Sequence, residues 1–260
     1  MSQLLAIAGK GGVGKSTFSA LLIRYLLKVD RPILAVDADP NSTLPVMLGL
    51  KPGQTIGEVL EEFMSSKLKI PAGMGKQAWL QLRISQAVAE GKGLDLMVMG
   101  RPEGEGCYCS PNAVLREFLD RMRENYKWVV VDNEAGMEHL SRRTEGKIDY
   151  LFVVSDPTVK GIRTVKNVMD LIAELKLEIK AKYLVLNKAG TMDPKLAGLI
   201  AGTGIEHLGE LPEDARIGEY DLAEKSLLEL PDPSPAVAAS ENILAKVFAG
   251  SEPIKNLAIA

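Results

Sequence analysis

Gly9-Lys-Gly-Gly-Val-Gly-Lys-Ser16 comes straight after the apolar run Leu4 to Ala8, and the reading of this junction decides the fold. Gly9, Gly11, Gly12 and Gly14 remove side chains where several backbone N–H groups must converge on one anion. Val13 adds its backbone to the same turn, and Thr17 continues the cradle beyond Ser16. The spacing places Lys15 for the β and γ phosphates of a nucleoside triphosphate and the Ser16 hydroxyl for Mg²⁺. A helix expected from about Lys15 to Leu27 turns its positive N-terminal end toward that anion. Strand, loop and helix together imply nucleotide binding on an α/β scaffold. An ordinary loop of this kind needs one lysine, so Lys10 is an addition that calls for its own account.

Working outward, short apolar runs recur at Ile33 to Val36, Leu94 to Met99, Trp128 to Val131, Tyr150 to Val154 and Tyr183 to Leu186, with helical patterns between them. That alternation predicts a doubly wound, mostly parallel β-sheet with helices on both faces. One helix, about Ile162 to Leu175, sets Val165, Val168, Met169, Ile172 and Leu175 on one face and is read as core packing. From Ile56 to Glu90 the pattern is helical or mixed, interrupted by Pro71 and Gly73, an excursion from the sheet. Pro231, Pro233 and Pro235 mark an extended passage before a final helix over 235–248, after which the tail is expected to fray.

With 260 residues, 46% of them hydrophobic, the whole chain 1–260 reads as a single domain. A net charge of −3 does not suggest a nucleic-acid surface. No run of 18 apolar residues is present, so no membrane association is expected, and the first strand leaves no room for a removable signal peptide. The expected location is cytoplasmic. Two cysteines do not make a disulfide framework, and their information lies in their spacing.

Carboxylates sit where such a sheet collects ligands. In Val36-Asp-Ala-Asp-Pro-Asn-Ser-Thr43, Asp37 and Asp39 stand at a strand's carboxyl end, although Asp and Asn there equally cap turns. Trp128-Val-Val-Val-Asp132 delivers a carboxylate suited to the Mg²⁺ water shell, and Gly136 follows four residues later, where a backbone N–H can sense a γ phosphate. His139 beside it has three readings, metal ligand, partner contact or satisfied structural residue, and we take the last. In Cys107-Tyr-Cys109 two thiols face one way if the segment is extended, just before a helix-start signal at Ser110-Pro111. That position favours thiolates, the form that binds metal.

GKGGVGK, with Lys10 as its second lysine, resembles the deviant loop of the nitrogenase iron protein and MinD/ParA class, P-loop ATPases of the SIMIBI group. The resemblance implies a nucleotide-sandwich homodimer with ATP or ADP and Mg²⁺ bound, Lys10 reaching across the two-fold interface, and Lys10, Lys15 and Asp39 as catalytic residues. Asp39 matches the family's carboxylate that positions the attacking water. Asn187, followed by Lys188, matches the reader of the adenine edge, and Pro212, Glu213 and Asp214 match a second base-contacting loop, although Asn after a strand is also a common turn residue.

Together with Cys107-Tyr-Cys109, the segment Asp132-Asn-Glu-Ala-Gly-Met-Glu-His139 narrows the resemblance to the CooC/AcsF ATPases. Membership would imply nickel insertion into a client enzyme, carbon monoxide dehydrogenase or acetyl-CoA synthase. Two thiolates are too few for a closed site, whereas a two-fold dimer supplies four; Ni²⁺ or Zn²⁺ would suit such a site and the sequence does not choose. Two other readings compete: an iron–sulfur electron donor, disfavoured because 132–139 contains no cysteine, and a MinD/ParA-like positioning ATPase, disfavoured by the lack of a basic amphipathic tail.

Overall fold

The computed structural model describes residues 2–65, 69–100, 122–133, 147–190 and 193–248. Eight strands form one sheet: β1 Gln3–Gly9, β2 Ile33–Ala38, β3 Ala89–Glu90, β4 Leu94–Val98, β5 Trp128–Asn133, β6 Lys147–Ser155, β7 Glu178–Leu186 and β8 Glu206–Glu210. Their spatial order is β3-β4-β2-β5-β1-β6-β7-β8, parallel throughout except for β3, which pairs antiparallel with β4. The helices are α1 Lys15–Val29, α2 Leu44–Leu48, α3 Ile56–Met64, α4 Lys76–Gln86, α5 Val159–Glu174, α6 Pro194–Ala201, α7 Ala215–Leu222 and α8 Pro235–Phe248. A 3₁₀ turn at Leu227–Glu229 lies between α7 and α8.

The expected doubly wound α/β architecture is the one found. Parallel strands covered on both sides read as continuous apolar runs, and here each run divides between two cores with period two. Leu5 and Ile7 of β1, Trp128 and Val130 of β5, and Phe152 and Val154 of β6 join one core under α1, α2 and α8. Leu4, Ala6 and Ala8, Val129 and Val131, and Leu151 and Val153 join the other, under α3, α4, α5 and α6. The strand at the centre is β1, with β5 and β6 as its parallel neighbours. Burial from both directions is why its sequence contains no polar residue between Leu4 and Ala8.

Helix α1 is nearly enclosed, with 12 of its 15 residues buried, so no polar face could have betrayed its orientation. Arg24, in its middle, is tolerated because its guanidinium donates to the Leu228 carbonyl and pairs with Asp232 at 2.7 Å. At the end of α8 Phe248 packs edge-on against Trp128 and Tyr150, each at a ring separation of 5.3 Å, pinning the helix beneath the sheet.

Several boundaries differ from the expected ones for local reasons. Strands β6 and β7 start before their apolar runs, because their first residues alternate in exposure and still pair from Lys147 and Glu178. The excursion resolves into α3 and α4 plus the two-residue β3. Helix α3 is opened by a capping box in which Thr55 accepts from the Glu58 N–H and the Glu58 carboxylate accepts from the Thr55 N–H. Four elements, α2, α6, α7 and β8, were not anticipated. Strand β8 buries only Leu208, and α7 buries nothing, so neither carries a periodic signal.

Candidate functional site

The carboxyl ends of β1, β2, β5 and β7 meet at one edge of the sheet, where open α/β folds gather ligands. There the 9–16 loop turns with φ of 147° at Gly9, 79° at Gly12 and 90° at Gly14, a region L side chains rarely adopt. A Cβ at Gly9 would stand 2.2 Å from the Val154 carbonyl oxygen, and one at Gly14 would stand 2.1 Å from Asn187 Nδ2. At Gly11 and Gly12 it would meet nothing within 4 Å, because both border open space.

That space is a cavity of ≈ 560 Å³, within the range of small-molecule sites. Gly11, Gly12, Gly14, Lys15, Ser16 and Thr17 form its floor; Asp39, Asn41 and Thr43 stand on one side; Asn187, Lys188, Pro212, Glu213 and Asp214 stand on the other. The structure thus brings most of the expected site residues to one place. Lys10 is half-buried and does not line the cavity. Val13 is buried, and its carbonyl accepts a hydrogen bond from Asn187 Nδ2 at 2.8 Å.

Beneath the floor lies Asp132, 0% exposed, with neither carboxylate oxygen hydrogen-bonded among the described residues. Burial pushes its carboxyl up to about 6, although the Ser16 hydroxyl, the Lys15 charge and the Ser19 hydroxyl act the other way. A buried carboxylate with two unpartnered oxygens, next to a serine that opens a helix, is a donor set for a hard divalent cation. Asp132 and Ser16 therefore fit the Mg²⁺ that the loop motif implies, and Thr43 Oγ1 donates to Ser16 Oγ at 2.9 Å from above.

Asp37, in β2, and Asp39, just beyond its end, divide their work. Asp37 is fully buried and does not line the cavity; its Oδ1 accepts from the Asp39 N–H at 3.0 Å and its Oδ2 from the Leu44 N–H at 3.2 Å. Those contacts support the turn-capping reading of Asp37 over nucleotide contact. Asp39 borders the cavity, its Oδ1 held by the backbone and side-chain N–H groups of Asn41 at 2.9 and 3.0 Å.

Asp214 lines the cavity but is engaged elsewhere. Its Oδ1 caps α7 through the Arg216 N–H, and its Oδ2 accepts from the Ser234 hydroxyl and the Ala236 N–H. Burial raises its carboxyl, yet these donors outweigh that and hold it below the ordinary value. The Asp214 side chain therefore ties α7 to the start of α8, while Pro212 and Glu213 line the cavity beside it.

Two contributors had no role legible in the sequence, Thr43 and Asn133. Thr43 closes the 36–43 motif, and nothing in its spacing marks the contact to Ser16. Asn133, 1% exposed, donates from Nδ2 to the Ile7 carbonyl at 3.0 Å and the Val131 carbonyl at 3.2 Å, locking β5 to β1 just below the loop. Only its position directly after the WVVVD run could have marked it. Cys107, Cys109, Gly136 and His139 lie outside the described residues. Among the described residues no cluster of three or more His, Cys, Asp or Glu could hold a metal, and no helix is long and apolar enough to cross a membrane.

Comparison with known proteins agrees with this geometry. The model of the CobQ/CobB/MinD/ParA nucleotide-binding domain matches residues 4–227. An uncharacterized ATP-binding protein of Methanocaldococcus jannaschii is 42% identical over 252 residues, covering 95% of this chain and 98% of its own. The carbon monoxide dehydrogenase accessory protein CooC of Rhodospirillum rubrum is 30% identical over 240 residues, covering 87% of this chain and 89% of its own. Among solved structures, the cell-division ATPase MinD of Pyrococcus furiosus superposes with a TM-score of 0.71 at 20% identity, covering 96% of this chain and all of that one, a likeness of fold.

Proposed function

Because the chain belongs to the CobQ/CobB/MinD/ParA nucleotide-binding domain family, we propose that it is an ATPase that hydrolyses ATP in a two-fold dimer and couples the cycle to nickel delivery into carbon monoxide dehydrogenase or acetyl-CoA synthase. The ATPase half of this reading is carried by the unpartnered, fully buried Asp132 lying under Lys15 and Ser16. The delivery half is carried by Cys107-Tyr-Cys109 in a chain 30% identical to a carbon monoxide dehydrogenase accessory protein.

In this reading the loop N–H groups and Lys15 bind the β and γ phosphates, with Asp132 and Ser16 holding Mg²⁺. When bound, Mg²⁺ neutralises charge on the phosphate oxygens. Asp39, steadied by Asn41, orients a water for in-line attack on the γ phosphorus; the new P–O bond forms as the bond to the β–γ bridging oxygen breaks, giving ADP and phosphate. Lys10, which does not border its own cavity, serves the partner subunit's phosphates. Closure brings two Cys107/Cys109 pairs to the two-fold axis, where four thiolates take one nickel or zinc ion as cargo. Loss of the γ phosphate reopens the dimer and commits the metal to the client.

The test is metal content and molecular mass of anaerobic protein, with and without a non-hydrolysable ATP analogue. Half a metal ion per chain in a dimer, absent from Cys107→Ser and Cys109→Ser, is the expected result. A nucleotide-dependent dimer that never holds metal would overturn the delivery role and leave a MinD/ParA-like positioning role; failure to bind nucleotide at all would overturn both halves.

A further inference from the structure

Asn187 stands at the carboxyl end of β7 with 7% of its surface exposed, bound on two sides. Its backbone N–H donates to the Ser155 carbonyl at 2.8 Å, which fixes it to the end of β6. Its side-chain Nδ2 donates to the Val13 carbonyl at 2.8 Å, across 174 positions of sequence. The same nitrogen occupies the space that a Gly14 Cβ would need, 2.1 Å from where that carbon would sit.

A planar trans peptide points its C=O and N–H in opposite directions. Drawing the Val13 carbonyl toward Asn187 therefore turns the Gly14 N–H the other way and sets one of the N–H groups of the anion cradle. The loop's ends are fixed by the pairing of Gly9 with β6 and by the Phe18 N–H on the Gly14 carbonyl, but its glycines have the widest conformational freedom of any residue and would spend affinity on being ordered by the ligand. We propose that Asn187 is a positioning residue for the phosphate loop: by holding the Val13–Gly14 peptide in one orientation, it keeps the loop ready for a polyphosphate whatever base the nucleotide carries. This role rests on the nucleotide-binding reading above and differs from reading a base edge; among the described residues the side chain's hydrogen bond is the one to Val13.

Loop positioning and base reading separate by which ligands a variant loses. Calorimetric titration of the full-length protein with MgATP, MgGTP and inorganic tripolyphosphate plus Mg²⁺ would compare the parent with Asn187→Ala and with Asn187→Leu, which keeps the volume without a donor or a charge. All three ligands should weaken by a similar factor, about ten- to a hundredfold for one lost buried hydrogen bond, with the ATP to GTP ratio unchanged. Amide hydrogen exchange over 11–15 of the nucleotide-free variants should quicken, while exchange over β1 stays as in the parent. If Asn187→Ala does not fold, Asn187→Leu carries the comparison.

Tripolyphosphate affinity unchanged while the ATP to GTP ratio collapses would make Asn187 a base reader alone and overturn the proposal. So would loop exchange identical to the parent's in a folded variant. A parent that binds none of the three ligands would instead refute the nucleotide reading, with loop exchange still reporting on the brace.

Discussion

Gly9 and Gly11 belong to one motif and meet opposite surroundings. A methyl group at Gly9 would run into the Val154 carbonyl oxygen of β6 at 2.2 Å, and φ there is 147°. Gly9→Ala should lower folding stability by about 2 kcal/mol or more, measured by urea denaturation without nucleotide. At Gly11 the same methyl meets open space at the floor of the cavity. Gly11→Ala should leave the denaturation midpoint close to the parent's and weaken nucleotide binding about tenfold or more by filling the anion's place. Equal loss of stability in the two variants would mean the loop is not organised as described. The motif was legible in the sequence because glycine spacing reports backbone approach directly; which glycine faces protein and which faces ligand was not, since the obstructing atoms come from Val154 of β6 and from Asn187 just beyond β7.

Among the elements, α3 shows how much local chemistry sets. Its capping box, Thr55 with Glu58, could have been read from the sequence as T-x-x-E. Its second function could not: Thr55 Oγ1 lies 2.6 Å from where a Gly100 Cβ would be, so the cap is packed against the turn that follows β4. Thr55→Ala should cost about 1 kcal/mol in urea denaturation, and Thr55→Ser should recover most of it, because the hydroxyl is what the Glu58 N–H needs. A loss that serine does not recover would assign the effect to methyl packing instead. Helix α7 is the opposite case. It fully buries no residue; Ile217 and Tyr220 pack part-buried against the core, and the Asp214 cap with its links to Ser234 and Ala236 anchors its start. With only Ile217 and Tyr220 facing the core over eight residues, it had too short a stripe to detect.

For the whole molecule the governing fact is that two carboxyls, Asp37 and Asp132, are buried side by side on adjacent strands at the nucleotide edge. Burial first, then the neighbouring Asp132 and Asp39 charges, push Asp37 up to about 7 against the Asp39 and Leu44 N–H groups, and burial pushes Asp132 up to about 6. A carboxyl whose pKa is higher folded than unfolded gives stability that is fully present below the unfolded value and is lost as pH rises through the folded one. Nucleotide-free protein in chelator should therefore melt lower as pH rises from about 5 to about 7.5. Asp132→Asn should flatten that profile and melt higher at the upper end, while binding Mg²⁺-nucleotide about tenfold or more weaker; in the parent that binding should strengthen as pH rises through about 6. A parent profile without this slope would contradict burial as the dominant influence on the pair. The sequence by itself determined the parallel α/β sheet, the loop and the strand that delivers Asp132, because hydrophobic period, glycine spacing and strand-end carboxylates are local signals that survive without a fold. Only tertiary structure decided that Asp37 and Asp214 spend their carboxylates on backbone and hydroxyl donors, that Asp132 has no hydrogen bond of normal geometry among the described residues, and that Asn187 reaches the Val13 carbonyl. Each of those outcomes depends on which atoms from distant parts of the chain arrive within about 3 Å, and no spacing along one chain encodes that.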